Sequence, residues 1–200
     1  MRFSAYFTGA YAESAVLDRS AADLKAAARC AKQCALIVTE PGTENMAGTV
    51  EQKLAAQGIT LPEPAAPVAN YVGFVRTGNL LFVSGQLCFD GQGKLIAKGK
   101  LGAGVTLEQG QAAARGCAIN LFAQIKAALG DLDKVARVVR LGGFINSTPD
   151  FPDAPKVLNG ASDLMVAAFG DKGRHARTTV GVASLPADAA VEVEGLFEVI

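Results

Sequence analysis

The chain has 200 residues, 50% of them hydrophobic, with nineteen basic and nineteen acidic side chains. At that length folding buries roughly 70% of the surface an unfolded chain would expose, so no disulfide or metal staple is required. Split at Met46, the first part carries five charges of each sign and the remainder fourteen of each, so neither has the basic excess of a phosphate-tracking surface. Nucleic acid is not an expected partner.

Residues 1–45 differ in kind from the rest. Residues 21–35 are Ala-rich and suit a short helix that would set Cys30 and Cys34 one turn apart. Pro41-Gly42 then breaks the segment. Its mostly Ala side chains bury too little surface to hold a fold, so a loosely ordered extension is expected. From Met46 the pattern is regular. A short helix over 50–57, stopped by Gly58, leads into the extended connector Leu61-Pro62-Glu63-Pro64-Ala65-Ala66-Pro67, so 46–70 read as helix and connector.

The region 71–200 reads as an α+β domain. Strands are expected over 71–76 and 79–89, joined at Thr77-Gly78, followed by a turn at Asp90-Gly91-Gln92-Gly93. Thr106 and Gln109 form a capping box that opens a helix reaching Leu129 and stopping at Gly130. A strand over 135–146, a helix over 152–169, a strand over 178–184, a turn around Pro186-Ala187-Asp188 and a strand over 190–200 complete the order. Two helices then cover one face of a mixed sheet. Leu80-Leu81-Phe82-Val83 and Val138-Val139 present apolar side chains to both faces, so the second face calls for cover by self-association.

Several chemistries lack their residues. Cys30, Cys34, Cys88 and Cys117 include no CxxC, and the single His175 cannot complete a usual Cys/His zinc site. No metal or cofactor is expected. No GxSxG elbow, GxGxxG or P-loop occurs, and Cys88 and Cys117 sit in apolar patterns where inert thiols are common. No apolar run approaches the ~18 residues of a membrane span. Together with the sparse cysteines this suggests a cytoplasmic protein.

The densest polar chemistry is Gly173-Arg174-His175-Ala176-Arg177-Thr178-Thr179, followed by Glu192 and Glu194. Arg177 sits where loop becomes strand, which suits either a bidentate hold on a small carboxylate or an ordinary ion pair. Glu192 and Glu194 alternate with Val191 and Val193 and so share a sheet face, as surface charges or as buried acids able to move a proton. Asn159 on the second long helix is expected to face solvent, and Tyr71 near the start of the first strand fits the core rim or a site.

From Tyr71 onward the chain resembles the RidA/YjgF family. The resemblance rests on Gly78-Asn79 with Ser84-Gly85-Gln86, on Asn159, and on the run from Arg177-Thr178-Thr179 through Leu185-Pro186 to Val191-Glu192-Val193-Glu194. It implies a chorismate-mutase-like fold and a homotrimer with ligand sites between subunits. It further implies hydrolysis of reactive 2-imino or enamino acids to 2-keto acids and ammonia, without cofactor. The same resemblance casts Arg177 as carboxylate anchor and Glu192 as the group that activates water. Tyr71, Ser84, Gly85, Asn159 and Thr179 would line the substrate pocket. Thr179 stands where some deaminases carry cysteine, and Gly181 where they carry glutamate. A small-carboxylate-binding trimer without turnover is the alternative, and RNA cleavage a weaker one. Taking the last two strands as a hairpin pairs Glu192 near Val182, about 17 Å from Arg177, so a shared site would need two subunits or a long cleft.

Overall fold

The computed structural model describes residues 48–64 and 70–200, all within one unit that spans Met46–Ile200. The expectations for residues 1–45 lie outside the described residues. Helix α1 (Thr49–Ala56) is followed by strands β1 (Phe74–Thr77), β2 (Leu80–Leu87), β3 (Lys100–Leu101) and β4 (Gly104–Val105). Helix α2 (Leu107–Leu129), strand β5 (Val135–Asn146), helix α3 (Ala154–Phe169) and strands β6 (Ala176–Val182) and β7 (Val191–Val199) complete the chain.

The expected capping box is present: the Thr106 amide donates to Gln109 Oε1 at 2.9 Å, and Thr106 Oγ1 accepts from the Gln109 amide at 3.2 Å. Gly130 ends α2 in the left-handed conformation, φ 77°, that glycine adopts without steric cost. The short parallel β3–β4 ladder was not expected. Its two-residue strands are too brief for an alternation of apolar and polar residues to show in the sequence.

The main sheet has the order β1-β2-β7-β5-β6, antiparallel except for β5 with β6. The last two strands are therefore not a hairpin. A parallel β5–β6 pair needs a crossover, which α3 supplies, and β7 then enters between β2 and β5. The expected pairing of Glu192 near Val182 is corrected: Glu192 stands opposite Phe144, and Phe144 opposite Val180.

Alternation along β7 assigns the two faces. Val191, Val193, Phe197 and Val199 are buried, whereas Glu192, Glu194, Leu196 and Glu198 are half-buried on the opposite side. The buried face packs against α2 and α3, where Phe122 and Phe169 meet edge to face at 5.6 Å. Among the described residues nothing covers the other face. Phe82 and Val180 on it are 46% and 43% exposed, and Val75 is exposed as well.

Candidate functional site

β2 changes register between Val83 and Gln86, where Val83 faces Gly195 and Gln86 faces Val193. Ser84 and Gly85 thus stand opposite one residue of β7, a bulge that turns both toward the bare face. The Ser84 hydroxyl donates to the Val72 carbonyl at 2.7 Å and pins the segment that carries Tyr71. Ser84 is thereby committed to the frame of the site.

Gly85 makes room for Glu192. A Cβ built on Gly85 would lie 1.9 Å from Glu192 Oε1, so any side chain there would displace the carboxylate. Burial raises the Glu192 carboxyl above its ordinary value, and the neighbouring Glu194 charge adds to the rise. Glu194 lies over Gly142 and meets Arg140 at 3.4 Å, so of the two glutamates it is the ion-paired one. Gly85 also belongs to the wall of a cavity of about 540 Å³, with Tyr71, Gly73, Leu87, Asn120 and Gln124, beneath Pro62 and Pro64 of the connector. That volume suits a small ligand.

Arg177 lies elsewhere. It pairs with Leu141, whose side chain is buried against the helices, so Arg177 leaves the edge strand β6 on the helix side. Its Nη1 donates to Asn159 Oδ1 at 2.8 Å and to Ser162 Oγ at 3.2 Å. Ser162 Oγ is in turn 3.1 Å from His175 Nε2, and His175 Nδ1 is 2.6 Å from the Gly173 carbonyl. A carbonyl can only accept, so the proton sits on Nδ1 and Nε2 accepts from the Ser162 hydroxyl. Burial holds His175 below its ordinary value; the Gly173 bond opposes this and the Arg177 charge reinforces it. The neutral ring orients Ser162, and Ser162 with Asn159 orients one nitrogen of the guanidinium. Among the described residues the other nitrogens have no hydrogen-bond partner, a geometry that suits a carboxylate.

Thr179 shares the face of Arg177, and its Oγ1 is buried without a hydrogen-bond partner among the described residues. The sequence-predicted residues therefore form two groups. Asn159, Arg177 and Thr179 lie at the β6 edge on the helix side; Glu192 lies on the central strand β7 and Ser84 and Gly85 on β2, on the opposite face, with Tyr71 just ahead of β1. Arg177 and Glu192 are two strand spacings and three residues apart, about 14 Å at the backbone, and point to opposite faces. Ser162 and His175 were missed as a pair. The signals were present: Asn159 and Ser162 are three apart on a helix, and His175 precedes Arg177 by two on an extended segment.

Among the described residues no helix is long and apolar enough to cross a membrane. Cys88 and Cys117 are both buried, as expected, yet the thiols interact: a hydrogen bond from Cys117 is the main cause lowering Cys88 to about 6, while burial drives Cys117 up.

Known proteins share this fold. Residues 51–198 match the family model described as "YjgF/chorismate_mutase-like, putative endoribonuclease". The chain is 53% identical over 152 residues to Protein TCP17 of Trypanosoma cruzi, covering 76% of this chain and 94% of that protein. It is 30% identical over 139 residues to a 2-iminobutanoate/2-iminopropanoate deaminase of Dermatophagoides farinae, covering 69% of this chain and 92% of the relative. A crystal structure of a protein of unknown function from Agrobacterium tumefaciens is 47% identical with a TM-score of 0.71, over 76% of this chain and 92% of that one. The sheet order, the fold and the extent of these matches lead to one conclusion: the chain belongs to the YjgF/RidA family.

Proposed function

We propose that this protein is a cytoplasmic 2-imino and enamino acid deaminase, acting at clefts between the subunits of a homotrimer. The observation that carries the reading is Glu192: a half-buried carboxylate with a raised proton affinity, packed against Gly85, which itself lines a ligand-sized cavity. The deaminase relative supports the choice of reaction. The separation of Arg177 from Glu192 supports a site shared between copies, and the exposed Phe82, Val75 and Val180 supply an apolar face for subunits to bury.

In this reading Arg177 of one copy holds the substrate carboxylate and Glu192 of the next faces the imine carbon. Glu192 takes a proton from water as the water oxygen bonds to that carbon and the C=N π electrons move to nitrogen. The protonated Glu192 then returns the proton to nitrogen. Glu192 then takes the hydroxyl proton and passes it to the amine nitrogen; as the oxygen lone pair closes the carbonyl the C–N bond breaks, and ammonia leaves the 2-keto acid. An imine is already electrophilic, so orientation and one proton relay suffice.

The test is keto-acid release from imino acids generated in situ by an amino-acid oxidase, comparing wild type with Arg177→Ala. Acceleration by wild type that is lost in the variant supports the proposal. Acceleration that survives removes Arg177 from it. Binding of small carboxylates with no acceleration moves the assignment to a non-catalytic binding trimer.

A further inference from the structure

Far from the β6 edge, three carboxylates meet at the start of α1. Glu51, Asp131 and Asp133 each offer one oxygen, and these three lie within 4.8 Å of one another. That is the spread a single cation can bridge with metal–oxygen distances near 2.4 Å. They come from two places, the first turn of α1 and the turn that precedes β5.

Most of the polar atoms here are satisfied. Asp133 accepts from the Thr49 amide at 2.7 Å, the Val50 amide at 3.0 Å and the Thr49 hydroxyl at 2.9 Å. Asp131 Oδ1 accepts from the Asp133 amide at 2.9 Å. Glu51 Oε1 accepts from the Leu132 amide at 3.2 Å and meets Lys126 at 3.4 Å. The exception is Glu51 Oε2. Glu51 is only 9% exposed, and among the described residues this oxygen is buried with no hydrogen-bond partner. An orphaned buried carboxylate oxygen is costly, and it is directed at two further carboxylates instead of at a donor.

Gly48 supplies the second observation. The point where a Cβ would stand on it lies 2.5 Å from Asp131 Oδ1, 2.8 Å from Glu51 Oε2 and 2.9 Å from Asp133 Oδ2. The three oxygens converge on a hollow kept open by the missing side chain. Lys126 answers Glu51 and Lys53 adds a favourable charge toward Asp133, which leaves three carboxylates against two lysines at the periphery.

From this convergence we infer that Glu51 Oε2, Asp131 and Asp133 form a binding site for a hard divalent cation of calcium size, completed by water. All-oxygen, carboxylate-rich donors exclude a soft metal. Contacts of mixed exposure from two separate segments suit the adaptable coordination of Ca²⁺ better than the strict octahedron of Mg²⁺. The ion ties α1 to the turn before β5. The connector after α1 carries Pro62 and Pro64 over the cavity described above, so the clamp also anchors that roof.

The test is thermal unfolding of the full chain, first stripped with chelator, then titrated with CaCl₂ or MgCl₂ against KCl of equal ionic strength. Calcium is expected to raise the midpoint with a saturable dose response beyond the salt control. Asp131→Asn and Glu51→Gln are each expected to lose that response; if one fails to fold, the other decides. No calcium response in wild type overturns the inference, as does an unchanged response in a folded variant. A magnesium response equal to that of calcium overturns the assignment of the ion.

Discussion

Gly85→Ala isolates the seat of Glu192 from the rest of the fold. The new methyl would stand 1.9 Å from Glu192 Oε1, and ordinary contact begins at 3.4 Å, so the carboxylate must retreat by about 1.5 Å. Gly85 has no positive φ, so the backbone accepts alanine without strain, and the displaced atoms end a half-buried flexible side chain. Stability should therefore change by less than the ~1–3 kcal/mol typical of overpacking in a closed core. Catalysis is less forgiving. A misplacement of 1 Å costs on the order of 10²-fold, and loss of a general base about 10²–10⁴-fold, so keto-acid release should fall about 10²–10³-fold. Gly142→Ala is the matched control, because its methyl would meet Glu194 Oε1 at 2.6 Å on the same face. It should break the Glu194–Arg140 pair and leave turnover within a few-fold. The assay is kcat/KM for an imino acid generated in situ, with thermal unfolding and oligomeric state measured alongside. Full activity in a folded Gly85→Ala protein would refute the role given to Glu192.

The remaining predictions concern protons and the guanidinium. Glu192 must be ionised to act as base, so kcat/KM should fall as pH drops through its raised pKa, a limb lying above the ordinary glutamate value of 4.5. Glu194→Gln removes one cause of that rise and should move the limb toward lower pH; a limb that stays put would exclude the coupling. A raised folded pKa stabilises the fold fully below the unfolded value, and this contribution is lost as pH rises through the folded one. Glu192→Gln should accordingly abolish turnover yet raise the unfolding midpoint at neutral pH; a lower midpoint would contradict the burial argument. Ser162→Ala removes one of two acceptors that set Arg177, worth about 1 kcal/mol, so KM should rise about fivefold with kcat nearly unchanged. An unchanged KM would take Ser162 and His175 out of the account.

The parts of the fold legible beforehand were those with local causes. The Thr106–Gln109 box, the stop at Gly130 and the alternation of Val191 and Val193 with Glu192 and Glu194 each follow from neighbouring residues, and each is present. The apolar run Leu80-Leu81-Phe82-Val83 pointed in advance to a second face in need of cover, and Phe82 is exposed among the described residues. Strand order was not legible, because a strand following another across a short turn reads as a hairpin. Only the crossover through α3 reveals that β5 lies between β6 and β7. The candidate site divides in the same way. Arg177 and Glu192 stood out by type and spacing. The partnership of Ser162 with His175, the bulge at Ser84–Gly85 and the meeting of Glu51 with Asp131 and Asp133 join residues through tertiary packing, which no local pattern encodes.

The central claim, a deaminase site built from two copies of the chain, is tested most directly by mixing two inactive variants. Arg177→Ala and Glu192→Gln, unfolded together and refolded at equal amounts, would assemble randomly into trimers. A site that takes Arg177 from one copy and Glu192 from its neighbour is then intact in about a quarter of cases, so keto-acid release should return to about a quarter of the wild-type rate. A mixture of confirmed trimers that stays as inactive as either parent, beside an active wild type treated identically, would contradict the shared site.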